Sequence, residues 1–222
     1  MRYLLLLAFL VIFSGPPAVY FSEPQPQGLE PDSRFEAAFQ GNYYSRSDSS
    51  MLIIGSNCIY KERTMTVVAY KPEMTTLNVV TAREGKRYFK HHPIPIEVLY
   101  ENDSLLTGNL IIRDTLFKPG PGQVLNYYRG YQILNNQVGD KQWEVGLLGI
   151  DGYGHLNLYQ SFLPKDLWKL ETITPIYEFT SSGLTTYQLR PDRAAFGKLL
   201  KPGLLFKEVE TFEKLGRQVI YN

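Results

Sequence analysis

A β-hairpin is predicted by residues 142–163, whose sequence is QWEVGLLGIDGYGHLNLYQSFL. Apolar residues alternate with other residues on both sides of the segment DGYG at 151–154, and this period of two is that of a β-strand. An Asp-Gly pair between two such runs favours a tight turn, because glycine adopts a positive φ without steric cost. Shorter strand-like segments precede and follow it, so we predict that this hairpin is the centre of a sheet.

The aromatic content also favours β structure. Aromatic residues make up 14% of the 222 residues, with 16 Tyr but only 2 Trp, and Tyr and Phe suit half-buried pleated surfaces. Apolar residues reach 44%, which is enough for a sizeable core. The predicted fold class is mainly β: an antiparallel meander that forms a barrel or a sandwich, with a short N-terminal helix and one or two C-terminal helices.

The individual elements follow from turn residues and periodicity. Strands are predicted at 42–46, 50–55, 58–70, 76–81, 87–90, 96–100, 105–117, 124–134, 173–180 and 184–190. Helices are predicted at 164–170 and 191–200. Residues 205–215 fit either a helix or an edge strand, and we favour the strand.

The N-terminus predicts export. Arg2 is followed by the apolar run YLLLLAFLVIF at 3–13, which is the pattern of a secretory signal peptide. If residues 18–21 are counted, the apolar stretch reaches roughly the length that spans a bilayer, although Pro16 and Pro17 interrupt it. Residues 1–21 are therefore predicted to be a signal peptide, an uncleaved membrane anchor or, as a third alternative, a buried element. We expect a periplasmic or extracellular location.

The rest of the chain is predicted to be a tether and one folded domain. Residues 22–31 (SEPQPQGLEP) have the composition of an extended tether. Residues 32–222 form a single β-rich domain, in which Asp32 caps the short helix that Gly41 closes. The segment KPGPG at 118–122 is either a long loop or a seam between two lobes. We favour the loop, because strand signals resume directly after it.

The opening of this domain resembles that of lipocalin-like barrels. The predicted short helix precedes Gly41-Asn42-Tyr43-Tyr44 and a run of antiparallel strands. Lipocalin-like proteins begin with a short helical lid and a Gly-x-Trp on the first strand, and Tyr43 stands where that Trp would be. The resemblance covers a small part of the chain and implies a barrel with a central cavity. The mixed helix-strand segment after Pro164 departs from that pattern.

No catalytic or cofactor motif is recognisable. His91 and His92 are adjacent and would point to opposite faces of a strand, so they could not chelate one ion together. A single cysteine, Cys58, excludes an intramolecular disulfide and a cysteine-based zinc site. We predict no metal and no cofactor. The balance of 23 basic and 22 acidic residues argues against nucleic acid as a partner.

Exposed aromatic rings are the candidate ligand-binding groups, because aromatic faces are common in sites for polar ligands. The candidate residues are Tyr43, Tyr128, Trp143, Tyr153 and His155. They would line a barrel mouth or a sheet face that holds a small apolar or glycan ligand. The sequence thus predicts a non-enzymatic binding module of the cell envelope.

Two other functions stay open. In the first, the hairpin end and the edge near residues 91–96 contact an envelope protein by strand addition or loop contacts. In the second, Asp151, His155 and Ser161 form the triad of a hydrolase, although no nucleophile-elbow pattern surrounds Ser161. Contact with a membrane is expected only through the N-terminal segment, if that segment is not cleaved.

Overall fold

The computed structural model describes residues 19–70, 80–83, 86–89, 94–181 and 184–216. Their strands are β1 (Val19–Phe21), β2 (Gly41–Ser45), β3 (Met51–Ile54), β4 (Ile59–Tyr70), β5 (Val80–Arg83), β6 (Lys86–Phe89), β7 (Pro95–Glu101), β8 (Leu105–Phe117), β9 (Gln123–Tyr128), β10 (Tyr131–Gly139), β11 (Gln142–Ile150), β12 (Leu156–Ser161), β13 (Ile176–Ser181), β14 (Leu184–Leu189) and β15 (Phe206–Lys214). Their helices are α1 (Leu167–Glu171) and α2 (Arg193–Leu199).

The mainly β fold class is confirmed, since 56% of the described residues lie in strands and 7% in the two helices. Neither helix in the described part of the chain is long and apolar enough to cross a bilayer. Residues 1–18 of the predicted leader, residues 76–79 of one predicted strand, and His91 and His92 lie outside the described residues.

The chain divides into two compact units. Unit 1 consists of Met1–Phe39 and Lys118–Thr211, and unit 2 of Gln40–Phe117 and Phe212–Asn222. Each unit is therefore assembled from two separate stretches of the sequence. The chain passes from unit 2 to unit 1 at the start of the KPGPG segment. It passes back to unit 2 within β15.

The predicted central hairpin is confirmed in unit 1. β11 pairs with β12 from Ile150 opposite Leu156 onward, and β10 pairs along the other edge of β11. The first part of β11 pairs with β1, where Phe21 lies opposite Trp143. β1 pairs in parallel with β14, and β14 pairs antiparallel with β13, so the sheet is mixed.

One face of this sheet carries the core of unit 1. Its buried side chains are Val19, Phe21, Ile133, Val145, Leu147, Leu170, Leu189, Phe196, Leu199, Leu205 and Phe206. Helix α2 contributes Phe196, whose ring meets those of Phe21 and Phe206 edge-on at 6.1 Å each. The helix begins after Asp192, whose carboxylate accepts the Ala195 N–H at 2.7 Å. The prediction of this helix is confirmed, whereas α1 begins three residues later than predicted.

Unit 2 is built from antiparallel pairs. The order is β2, β3, β4, β8, β7, β6 and β5, and the last residues of β15 pair with β2. The long pair β4–β8 extends from Ile59 opposite Phe117 to Tyr70 opposite Leu105. A small core on this ribbon consists of Val67, Ile96, Leu106 and Leu110.

The predicted short N-terminal helix is wrong. The backbone N–H of Asp32 donates to the carbonyl of Leu125 at 2.8 Å, so Asp32 pairs with the edge of β9 instead of capping a helix. Phe35 and Phe39 are buried, and a turn from Glu36 to Phe39 brings both into the packing of unit 1. The four-residue spacing of Phe35 and Phe39, which suggested a helix, therefore also fits a turn that buries both side chains.

The predicted barrel is not confirmed. The hydrogen-bonded strand order of the described residues is one mixed sheet that is not closed. A sandwich and the lipocalin resemblance are not confirmed either. The prediction that residues 205–215 form a strand is confirmed by β15.

Three predicted segments have structures that differ from their sequence patterns. Residues 124–134 are not one strand, because Arg129 and Gly130 take φ of 50° and 87° and make a two-residue turn between β9 and β10. Val19–Phe21, at the end of the predicted leader, form β1. Gln25 and Pro26, within the predicted tether, are buried.

Candidate ligand-binding face

Of the five predicted site residues, Tyr43 belongs to unit 2. Its ring on β2 is fully buried, and the Lys214 ammonium lies 5.5 Å from the ring centre. Burial raises the pKa of the Tyr43 hydroxyl. The structure therefore places this residue in packing rather than on an open surface.

Tyr128 and Trp143 lie on the core face of unit 1. The Tyr128 ring is 6.3 Å from the Phe196 ring, and its hydroxyl donates to the Arg193 carbonyl at 3.3 Å. Trp143 lies opposite Phe21 and packs against the same core. Both side chains are half-buried, and helix α2 occupies the space in front of Tyr128.

Tyr153 and His155 are the two predicted site residues that the structure brings together. Their rings are 6.2 Å apart at the end of the β11–β12 hairpin, and Tyr153 is 90% exposed. The Asp151 carboxylate accepts the N–H groups of Tyr153 and His155, each at 2.9 Å, and lies 3.1 Å from His155 Nδ1. Desolvation acts to raise the pKa of Asp151, but these hydrogen bonds outweigh it and lower the pKa. The carboxylate thus orders the turn.

The three residues of the hydrolase hypothesis do not assemble. Asp151 and His155 are in contact at the hairpin end, whereas Ser161 is the last residue of β12. At about 3.3 Å per residue, Ser161 lies roughly 16 Å along the strand from Leu156. That separation leaves Ser161 out of hydrogen-bonding reach of His155.

A different group of aromatic side chains is exposed together on unit 1. Tyr177 on β13 lies opposite Gln188 on β14, and Gln188 lies beside Tyr20 on β1. Paired residues share a face of a sheet, as do residues two apart on one strand. Phe179 and Arg190 therefore lie on that face too, opposite the face that carries the core.

Glu144 extends this surface onto β11. The pairing of Phe21 with Trp143 makes Tyr20 the neighbour of Glu144 on the opposite face. We call this set the aromatic face, and its members are Tyr20, Glu144, Tyr177, Phe179, Gln188 and Arg190. Four strands at a spacing of about 4.8 Å give it a width of roughly 15 Å.

The aromatic rings of this face are accessible and held in place. Tyr177 is 43% and Phe179 51% exposed, and Tyr20 is half-buried. The guanidinium carbon of Arg190 lies 4.9 Å from the centre of the Tyr177 ring, a cation–π contact that fixes the ring. Gln188 Nε2 donates to the Lys141 carbonyl at 2.6 Å, so this amide is fixed as well.

The electrostatics of the aromatic face are set by Glu144. Burial raises the pKa of its carboxyl group. Burial, and then the charge of Glu144, raise the pKa of the Tyr20 hydroxyl. Within the described residues, no basic side chain forms an ion pair with Glu144. Its carboxylate oxygens can therefore accept hydrogen bonds from a ligand, next to ring faces that can stack on it.

Sequence reasoning missed this face for two reasons. Tyr20 falls within the predicted leader, and the neighbours of β13 depend on a parallel pairing between β1 and β14 that no local pattern indicates. The alternation of Ile176, Tyr177, Glu178 and Phe179 was the available signal, because it places two aromatic rings on one face of a strand.

The described residues contain no cluster of three or more His, Cys, Asp or Glu side chains that could hold a metal ion. No protein family model, curated protein or solved structure matches this chain significantly.

Proposed function

We propose that this protein is an exported, non-enzymatic binding module of the cell envelope that holds a glycan on the aromatic face. The observation that carries the proposal is the exposure of Tyr177 and Phe179 beside Tyr20, with the half-buried Glu144 on the same face. Sugar rings present C–H groups that stack on aromatic faces, while their hydroxyls donate to carboxylates and carboxamides.

The shape of this face favours a glycan over an apolar small molecule. Sites for apolar ligands are concave and cover most of the ligand surface. The aromatic face lies on an open sheet, and half of its members are polar or charged. A ligand that keeps hydroxyl groups in water while it stacks on rings fits such a face better.

Binding of the full chain to an array of cell-envelope oligosaccharides would test the proposal, followed by calorimetry on each glycan that binds. Tyr177→Ser and Phe179→Ser should each weaken binding about tenfold, since one aromatic contact contributes up to about 1.5 kcal/mol. Tyr153→Ser is the matched control, because Tyr153 is more exposed but lies at the hairpin end.

A loss of binding in Tyr153→Ser with none in Tyr177→Ser would move the site to Tyr153 and His155.

Glu144→Gln separates the stacking on the aromatic rings from the hydrogen bonding to the carboxylate. It keeps the rings and the shape but removes the carboxylate, so we expect weaker binding with unchanged folding. Glycan affinity that none of these substitutions affects would contradict the proposal.

Export is proposed from the apolar run at residues 3–13. If the leader is removed, we expect the cut before Val19, because β1 pairs with both β11 and β14. The N-terminal residue of the protein recovered from the envelope fraction, identified by mass spectrometry, tests this. A mature chain that starts after Phe21 would contradict it.

An envelope protein is the second candidate partner. The observation that favours it is the position of β13 at the end of the strand order.

A further inference from the structure

β13 is an edge strand with a defined set of outward backbone groups. Among the described residues it pairs with β14 alone. The Arg190 N–H donates to the Pro175 carbonyl at 3.3 Å, which marks these two residues as a hydrogen-bonded pair. Hydrogen-bonded and non-hydrogen-bonded pairs alternate along an antiparallel ladder. The backbone groups of Tyr177 and Phe179 are therefore hydrogen-bonded to β14.

The backbone N–H and C=O groups of the remaining β13 residues point away from β14. Ile176, Glu178 and Thr180 occupy the non-hydrogen-bonded positions, opposite Leu189, Tyr187 and Thr185. Their N–H and C=O groups are directed to the open edge. No described residue hydrogen-bonds to these groups there.

Apart from the charge of Glu178, this edge lacks the features that usually prevent strand addition. Natural edge strands are protected by proline, lysine, a bulge or a covering segment. The sequence IYEFTS of β13 has no proline and no basic residue, and its pairing with β14 is continuous. The edge of β9 in the same unit, by contrast, is covered where the Asp32 N–H donates to Leu125.

The charge of Glu178 indicates what can pair with this edge. Its side chain is exposed and forms no ion pair with any described residue. Two copies of this chain could pair antiparallel through all three outward residues of β13. In that arrangement, Glu178 of one copy would lie opposite Glu178 of the other. Like charges directly opposite each other destabilise a pair of strands, so a second copy of this chain is disfavoured.

We propose that β13 binds an extended segment of a partner protein by strand addition, with a basic residue opposite Glu178 and apolar residues on either side of it. The basic residue forms the cross-strand ion pair. The apolar neighbours lie opposite Tyr177 and Phe179, whose rings are 43% and 51% exposed. This site uses the backbone edge and shares the rings of Tyr177 and Phe179 with the aromatic face, but the proposal does not depend on glycan binding.

A labelled peptide with the core Thr-Val-Lys-Val-Thr is the probe, and its fluorescence anisotropy is measured with the full chain. We expect it to bind about three- to tenfold more tightly than the same peptide with Glu in place of Lys, since an attractive cross-strand pair replaces a repulsive one. Glu178→Lys should reverse this preference. Failure of the Lys peptide to bind, or a preference that Glu178→Lys leaves unchanged, would overturn the proposal.

Thr180→Pro tests the backbone contribution. It removes one outward N–H but no hydrogen bond to β14, and proline is tolerated at such edge positions. Thr180→Val is the matched control, because it keeps the N–H and similar volume. We expect the Pro variant to lose most peptide binding and the Val variant to retain it, with equal melting temperatures and unchanged glycan binding.

Equal peptide binding by the Pro and Val variants would overturn strand addition. A concentration-dependent dimer that only the Pro variant abolishes, seen by sedimentation, would assign the edge to a second copy instead and would likewise overturn the proposal.

Discussion

The side-chain amide of Asn135 hydrogen-bonds to both backbone groups of Gln25. Its Oδ1 accepts the Gln25 N–H at 2.7 Å, and its Nδ2 donates to the Gln25 carbonyl at 3.0 Å. Both residues are fully buried. A primary amide presents a donor and an acceptor side by side, as a backbone does. Asn135 thus holds the segment after β1 against the sheet.

Replacing this amide with an apolar side chain of similar volume should destabilise unit 1. In Asn135→Leu the N–H and C=O of Gln25 lose their partner while buried, and we expect a loss of about 2–4 kcal/mol in the free energy of unfolding. Gln137→Leu, exposed on the same strand, is the control. Urea unfolding followed by circular dichroism measures both, and equal losses would contradict the role of Asn135.

Phe21 should be among the most sensitive positions of unit 1. It is fully buried and meets Phe196 edge-on at 6.1 Å. Phe21→Ala leaves a cavity in this core, so the free energy of unfolding should fall by about 3–5 kcal/mol. Tyr153→Ala removes an aromatic ring that is 90% exposed and should change it by less than about 0.5 kcal/mol. Thermal and urea unfolding of both variants would show whether β1 is part of the core.

An ion pair that the sequence did not indicate stabilises unit 2. The Lys61 side chain is 7% exposed, and its ammonium lies 2.8 Å from the Asp48 carboxylate. Partial burial acts to raise the pKa of Asp48, but the hydrogen bonds from Lys61 and Ser50, with the charge of Lys61, lower it to about 2. The pair links the turn between β2 and β3 to β4.

The lowered pKa of Asp48 gives unit 2 a defined acid sensitivity. The contribution of a carboxyl group with a lowered pKa is fully present above its unfolded pKa of about 4, and it is lost as the pH falls towards 2. Asp48→Asn should cost about 1–2 kcal/mol at pH 7, the lower end for a charged hydrogen bond because Asp48 is 39% exposed. The difference from wild type should shrink at pH 2–3. Asp103→Asn, exposed in another turn of unit 2, is the control.

Gly108 and Gly152 should respond differently to the same substitution. A Cβ atom at Gly108 would lie 2.6 Å from the Glu97 carbonyl oxygen and 2.6 Å from a methyl carbon of Ile96. Gly108→Ala therefore forces β7 away from β8 and should cost about 1–3 kcal/mol. Gly152 has no atom within 4 Å of the corresponding position, so Gly152→Ala should be tolerated. Equal unfolding midpoints for the two variants would contradict the close approach of β7.

The elements that could be predicted are those with local turn or capping chemistry. The Asp151-Gly152 turn identified the β11–β12 hairpin, and the apolar spacing of residues 191–200 before Pro202 and Gly203 identified α2. The Arg129-Gly130 turn was missed because arginine seldom adopts a positive φ. Here the Arg129 guanidinium donates to the Gly197 carbonyl at 3.0 Å, a tertiary contact that no local pattern reveals.

The candidate site was harder to predict than the fold. Which ring on a strand faces solvent depends on the neighbouring strands, and β1, β11 and β14 come from distant parts of the sequence. Trp143 therefore packs on the core, while Tyr177 is exposed. The apolar residues of β1 also continue the pattern of a leader, and only their pairing shows that they belong to the folded unit.

The parallel pairing of β1 with β14 sets an order of events during synthesis. β1 is among the first described residues to leave the ribosome, and β14 is among the last. The strands β2 to β8 of unit 2 pair mostly with sequence neighbours and can form while the chain is still growing. β1 can therefore gain β14 as its neighbour in the sheet of unit 1 only when translation is nearly complete. Until then, Val19 and Phe21 stay accessible to chaperones.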